Sequence, residues 1–249
     1  SEFMKIRVYE VARNDSKFRP GYPETLFADV TSHCRSNNTA WDTGTGNGQA
    51  ASHLAQYFNK VYASDISQEQ LAHAIPASNI SYYVSSAENS QLPAGSIDLI
   101  FAAQAAHWFD LRLFYDEVTR VASKEAIICL AGYGVPVFHN FIDPILHTFY
   151  FHKIYEYWDV ERRHIEDNYQ SLNFPFEEIQ LPSYNFKLKW ALEDLVGYIR
   201  TWSAVRNFIQ HNDIDPVEKL LYELQKSGDA VETFIADFKI FTRCGRLNF

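Results

Sequence analysis

The stretch Asp42-Thr43-Gly44-Thr45-Gly46-Asn47-Gly48 gathers three of the chain's 10 glycines within five residues. Before it, Thr39-Ala40-Trp41-Asp42 has the pattern of a strand end, and after it Gln49 to Phe58 reads as a helix. Glycine at such a junction lets the chain turn sharply and lets a ligand lie directly against main chain. The helix start behind it offers free N–H groups and a partial positive charge, which suit an anionic group such as a carboxylate. A tight turn that serves only the fold is the competing reading. Spacing narrows the ligand further. A dinucleotide fingerprint, G-x-G-x-x-G, requires its third glycine at position 49, where this chain has Gln49. Here the third glycine comes one residue early, and an acidic residue, Asp42, stands two before the first.

The surrounding pattern sets this loop in an alternating α/β array. Val61 to Ser64, Ile80 to Val84, Ile97 to Ala102 and Ala126 to Ala131 read as further strands. The fourth is an apolar run of the kind covered on both faces. A helix is expected from Ser67, where Ser67 and Gln70 have capping-box spacing, and another over Leu111 to Val121 with Leu113, Phe114, Val118 and Val121 on one stripe. Strands alternating with helices imply a Rossmann-like, mostly parallel sheet of seven strands with helices on both faces. After Gly134 the pattern changes. Asp143-Pro144 has the form of a helix start, with Asp as N-cap, and Leu146, Tyr150, Ile154 and Trp158 follow at helical spacing. Tyr184 to Trp190 alternates like a strand, Leu192 to Phe208 and Pro216 to Gln225 read as helices, and Thr233 to Thr242 as a late antiparallel strand. Residues 1–249 thus form one domain, with 133–215 as a helical cap inserted into it for acceptor binding. Seventeen aromatic residues fall between 133 and 202, which suggests a water-excluding pocket, although core packing also uses such rings.

Composition removes other classes. The formal net charge is -9, and no Lys/Arg cluster supplies the basic footprint of nucleic-acid binding. No run of eighteen apolar residues supports a membrane span. Cys34, Cys129 and Cys244 are far apart in sequence and odd in number, which argues against a disulfide framework and fits a reducing cytoplasm. His139, His147 and His152 show no ligand pattern, so no metal is expected. Ser1-Glu2-Phe3, ahead of Met4, reads as a cloning remnant, and no secretory signal pattern is expected after it.

The motif D-x-G-x-G-x-G closely resembles the first motif of class I S-adenosylmethionine-dependent methyltransferases, and three later segments agree with it. Asp65 ends the second strand, where a carboxylate can accept both hydroxyls of an adenosine ribose. Ser86-Ala87-Glu88-Asn89 with Leu92-Pro93 resembles the family segment that borders the adenine. Ile97 to Phe109 resembles the fourth-strand segment whose end lines the methionine moiety. The resemblance implies S-adenosylmethionine as cofactor, held by Asp42, Thr43, Gly44, Thr45, Gly46, Gly48, Asp65, Ile66, Ser86, Ala87, Glu88, Ala103, Gln104 and Ala105. Phe18-Arg19-Pro20-Gly21-Tyr22-Pro23, Tyr198 to Val205 and Arg243-Cys244-Gly245-Arg246 resemble a subgroup that includes the trans-aconitate-type small-molecule methyltransferases. That likeness implies a lid in which Arg19 or Tyr22 approaches the cofactor, but the tyrosine usually found a few residues before the Arg-Pro pair is missing.

For chemistry, such a protein must align a nucleophile with a methyl carbon at roughly 3–3.5 Å before attack. His107 is the candidate catalytic residue, as a base or as a hydrogen-bond donor to the acceptor; a purely structural role in the pocket wall is the alternative. His107, Trp108, Tyr133, Arg200 and Trp202 are the expected acceptor contacts, and a guanidinium such as that of Arg200, Arg206, Arg243 or Arg246 can grip a carboxylate with two parallel hydrogen bonds. The expected activity is methyl transfer to a small molecule, preferably at a carboxylate oxygen. O-methylation of a carrier-linked acid, C-methylation of a quinone precursor, and cofactor binding without catalysis stay open.

Overall fold

Why the sheet forms where it does is clearest at its centre. The computed structural model describes residues 20–228 and 233–248. Its strands are β1 (Thr39–Thr43), β2 (Lys60–Asp65), β3 (Ile80–Val84), β4 (Ile97–Ala103), β5 (Ala122–Tyr133), β6 (Glu177–Glu178), β7 (Tyr184–Trp190) and β8 (Phe234–Arg246). The apolar run of β4 is buried at every residue, as a strand covered on both faces must be. The one acidic residue within it, Asp98, is tolerated because its carboxylate is fully used: it accepts the N–H groups of Asn38 and Thr39, both at 3.0 Å, and the hydroxyl of Ser123 at 2.6 Å. That carboxylate pins the start of β1 and the start of β5 to the central strand.

The order across the sheet is β3-β2-β1-β4-β5-β8-β6, with β7 also pairing β8. Neighbours from β3 to β5 are parallel, and β8 runs antiparallel to both β5 and β6. The α/β class, the mostly parallel sheet and the late antiparallel strand are therefore as expected. Among the described residues the count is eight rather than seven, because the two-residue β6 consists of two exposed glutamates whose pairing no strand propensity announces.

The described helices are α1 (Glu24–Ser32), α2 (Gln49–Leu54), α3 (Gln68–Ala72), α4 (Leu111–Val121), α5 (Ile142–Thr148), α6 (Arg162–Glu166), α7 (Leu192–Arg200), α8 (Ser203–Asn212) and α9 (Pro216–Ser227). None is long and apolar enough to cross a membrane. Ser67 caps α3 by accepting the Gln70 N–H, and Asp110 caps α4 by accepting that of Leu113. On α4 the buried face holds Phe114, Val118 and Val121 as expected, but Leu113 is exposed and Tyr115 and Glu117 are buried instead.

Four other expectations are corrected. The helix after the glycine loop ends at Leu54 rather than Phe58, in a run of turns. Asp143 does not cap its own helix: α5 begins at Ile142, and the Asp143 carboxylate accepts the N–H groups of Phe138 and His139 in the preceding loop. The helix expected through Trp158 stops at Thr148, widens to a π turn over Phe149–Lys153 and tightens over Tyr155–Tyr157. Likewise Leu192 to Phe208 is two helices, because Trp202 is extended at the start of α8 and the Thr201 hydroxyl turns back to the Tyr198 carbonyl.

The chain divides into two compact units. The larger holds Gly21–Gly134, Arg163–Asn185 and the chain from Lys239; the smaller holds Val135–Arg162 and Phe186–Phe238. The stretch 133–215 is thus divided, since 163–185 belongs with the sheet and α9 joins the smaller unit. In the larger unit the core runs from Trp41, whose indole N–H donates to Ser64, through Ile100, Phe114 and Ile128 to Tyr169. In the smaller, Trp190, Tyr198, Trp202, Tyr150 and Trp158 pack ring against ring.

Candidate cofactor and acceptor site

The glycine loop sits between β1 and α2, at the carboxyl end of the parallel strands, where ligands bind in open α/β sheets. Gly44, Gly46 and Gly48 have φ of 70°, 57° and 83°, all in the left-handed region that side chains rarely adopt. The loop also leaves no room at its ends. A Cβ on Gly44 would stand 2.7 Å from that of Ala105, and one on Gly48 would run into the Tyr82 hydroxyl and lie 2.8 Å from its Cζ. Thr45 secures the turn from within, donating its hydroxyl to the fully buried Asp42 at 2.6 Å and its N–H to the Ser64 carbonyl at 2.9 Å. Burial, with the Asp42 charge nearby, pushes the Tyr82 phenol up to about 12.

Asp65, the last residue of β2, uses one carboxylate oxygen to accept the Gly46 N–H and the other to accept the Ser67 N–H, both at 2.9 Å. Each oxygen keeps a second acceptor site. Beyond it Ile66 is 77% exposed, an apolar side chain held at the mouth of the strand ends. After β3, Ser86 and Asn89 pair as an isolated bridge around the buried Ala87. Two carboxylates fix that segment. Glu88 accepts the Asp110 N–H at 2.8 Å, and Glu117 accepts the Ser90 N–H and the Arg120 guanidinium. Burial drives the Glu117 carboxyl upward, but the bonds from Arg120 and Ser90 outweigh it and hold it below the usual carboxylate range.

At the end of β4 the backbone of Gln104 is left-handed (φ 54°), a conformation uncommon for glutamine. Its side chain explains how this is held: the amide donates to the Tyr133 carbonyl at 3.0 Å and accepts the Tyr133 N–H at 2.9 Å, copying a strand ladder. The tips of β4 and β5 are thereby locked, and Ala103, Ala105 and the short turn Ala106–Trp108 follow at fixed positions. Tyr133 in turn stands 5.9 Å from the buried Tyr22 ring. Arg19 lies outside the described residues.

His107 is buried, with Nδ1 3.1 Å from the Tyr169 hydroxyl, while neighbouring Trp108 is 56% exposed. Tyr169 itself is fully buried in left-handed backbone (φ 63°), edge-on to Phe241. The pairing joins residues 62 positions apart, and nothing in the local sequence announces it. Arg243 also serves this segment. It pairs with Glu178, donates to the Tyr169 carbonyl at 2.8 Å and covers the Phe174 ring. Arg246 donates to the carbonyls of Glu125 and His33. Arg200 and Trp202 belong to the smaller unit, where Arg200 pairs with Asp215, the N-cap of α9, and Trp202 packs among Tyr150, Trp158 and Tyr198. The expected cofactor contacts from Tyr22 to Ala105, together with His107, Trp108 and Tyr133, therefore share one unit; Arg200 and Trp202 do not.

The model of the methyltransferase domain matches residues 41–130, from the first strand through the glycine loop to the fifth. A methyltransferase-family protein of Dictyostelium discoideum is 33% identical over 221 residues, 87% of this chain and 84% of its own. The chain belongs to the class I S-adenosylmethionine-dependent methyltransferases. A solved type II methyltransferase-family structure from Anaeromyxobacter dehalogenans superposes on the methyltransferase with a TM-score of 0.85 and 33% identity, covering 93% of this chain and 99% of the other. The cofactor is S-adenosylmethionine, and the donor set suits it. Asp65, partly exposed at the end of β2, keeps acceptor capacity that suits a ribose diol, while the fully buried Asp42 holds Thr45 and so shapes the loop from beneath. The glycine loop supplies main chain unshielded by side chains.

Proposed function

We propose that the methyltransferase acts on a small organic acid and methylates a carboxylate oxygen. The observation that carries this reading is the turn after β4. There His107 is held against Tyr169 and beside Trp108, its ring centroid 4.9 Å from the indole, a setting that suits orienting an acceptor oxygen by hydrogen bonding. A carboxylate is already ionised and asks for alignment and a dry surround, whereas a less acidic hydroxyl asks for a base. The bound cofactor supplies a methyl group on a cationic sulfur that departs neutral, without acid assistance. That methyl group would pass to the acceptor oxygen that His107 orients, the carbon–sulfur electron pair staying with sulfur.

In this reading Asp65 holds the ribose hydroxyls, the glycine loop takes the methionine end, Ile66 and Ala87 border the adenine, and Trp108 and Tyr133 exclude water from the acceptor. The resemblance of Tyr198 to Val205 to the trans-aconitate-type subgroup points to the same acceptor class. Calorimetry with S-adenosylmethionine followed by a radiolabelled methyl-transfer assay tests it, using carboxylic acids against their amides and against phenols. Base-labile label appearing in the acids supports carboxylate methylation; label confined to phenols, or cofactor binding without transfer to any of them, overturns it.

A further inference from the structure

Arginine is the residue best shaped to hold a carboxylate, and in this fold most arginines have other work. Arg35, Arg120, Arg200 and Arg243 pair with glutamate or aspartate, and Arg246 is engaged by two carbonyls. Arg112, Arg163 and Arg206 are exposed. Arg162 differs from all of them. It is half-buried, and its guanidinium lies 4.4 Å from the centroid of the Trp158 ring and 5.8 Å from that of Tyr150. Its Nε donates to the Tyr150 hydroxyl at 3.1 Å, which fixes the plane of the fork. Among the described residues no carboxylate stands within ion-pair distance of it.

A second observation falls on the same stack. The indole N–H of Trp158, the ring that Arg162 covers, is buried and has no hydrogen-bond acceptor among the described residues. A buried N–H without a partner is rare in folded proteins and calls for an explanation. Here, among the described residues, two donors lack an acceptor within one aromatic cluster: the outer edge of a permanently charged guanidinium and the N–H of the ring beneath it. One group can satisfy both, an anion with two acceptor oxygens. Trp202, 5.6 Å from Trp158, and Tyr150 add apolar surface beside it.

We infer that Arg162 and Trp158 form a carboxylate-binding subsite, with Tyr150 as the positioning residue that orients the guanidinium. Its ligand class is a small organic acid with an apolar or aromatic body. All three residues lie in the smaller unit, in a stretch that shares none of the expected cofactor contacts. As the identity of the methyl acceptor's class, the inference rests on the reading proposed above; as a binding site it stands independently.

The test is calorimetry on the whole chain with benzoate, hexanoate and glutarate, against benzamide and hexanamide as neutral counterparts and inorganic phosphate as a second anion. At least one acid binds, and its amide binds more than tenfold more weakly. Arg162→Gln lowers the acid's affinity at least tenfold, and Arg162→Lys fails to restore it because the planar fork is lost. Trp158→Phe, which leaves an aromatic face beneath the guanidinium but removes the indole N–H together with the five-membered ring that carries it, lowers it several-fold. Affinity for S-adenosylmethionine is unchanged in every variant. No binding by any acid, equal binding of acid and amide, acid affinity retained in the two Arg162 variants, or phosphate binding as tight as the acids overturns the inference. Should Arg162→Gln not fold, Trp158→Phe decides it alone. Acids that bind in an Arg162-dependent way yet are never methylated sink the proposed function and leave the subsite standing; acids methylated with unchanged KM in Arg162→Gln do the reverse.

Discussion

Asp65 accepts the main-chain N–H of Gly46 at 2.9 Å, so the acidic residue ending the second strand is bonded directly to the middle of the glycine loop. The two parts of the cofactor motif, 19 residues apart, are one hydrogen-bonded assembly. Substituting Asp65 by alanine therefore removes the proposed ribose acceptor and releases the loop together. Affinity for S-adenosylmethionine falls about 10- to 100-fold, the scale of losing hydrogen bonds to a charged group. Titration calorimetry measures it. Wild-type affinity in a folded Asp65→Ala protein shows that the carboxylate serves the fold alone.

Gly48 and Tyr82 form a second coupled pair. Alanine at 48 must adopt a φ of 83° and meets the Tyr82 ring. Gly48→Ala costs about 1–3 kcal/mol from backbone strain, more with the collision. Removing the ring relieves only the collision, so Gly48→Ala combined with Tyr82→Ala is less destabilised than the sum of the singles by about 1 kcal/mol or more. Urea unfolding of the four proteins gives the coupling; additive values mean the ring does not limit position 48.

Tyr82 also sets an alkaline limit. Its phenol is raised from 10.0 to about 12, mainly by burial, so the folded chain favours the neutral form. That contribution is complete below pH 10, where both states hold the proton, and is lost as pH rises from 10 towards 12. Tyr83, Tyr115 and Tyr184 are raised too, so the overall fall is steep. Tyr82→Phe lowers the urea midpoint at pH 8, because the bond to the Ile75 carbonyl is lost, and flattens the decline between pH 9 and 11.5. An unchanged slope assigns the alkaline loss to the other phenols.

What the chain discloses in advance is what local pattern controls. The apolar run of Ile97 to Ala102 and the loop from Gly44 to Gly48 state their structure through composition and spacing alone. Boundaries inside the smaller unit are not so stated. Asp143 looks like a cap because it precedes Pro144, but its carboxylate is taken by two N–H groups upstream. Trp202 interrupts what reads as one long amphipathic helix. Cys129 and Cys244, 115 positions apart, prove to be direct partners across β5 and β8, and the Cys129 thiol is raised well above its ordinary value by its hydrogen bond to Cys244 and by burial. Arg162 lies in a polar run that gives no sign of the two rings it covers. Each of these depends on a partner distant in sequence, and spacing carries no record of such partners.

The pairing of His107 with Tyr169 gives the most direct test of the acceptor end. Tyr169→Phe keeps the buried ring and its edge-on contact with Phe241 and deletes only the hydroxyl. The stability cost is about 1 kcal/mol, that of one buried hydrogen bond. If His107 orients the acceptor, freeing its ring lowers kcat about tenfold, since an interaction worth roughly 1.4 kcal/mol in the transition state is a factor of ten. KM for the acid and affinity for S-adenosylmethionine stay near wild type, because neither Asp65 nor the glycine loop is touched. His107→Gln, with a shorter-reaching donor, recovers part of the rate lost in His107→Ala. Full kcat in Tyr169→Phe assigns His107 to the wall of the pocket and leaves alignment to Trp108 and its neighbours.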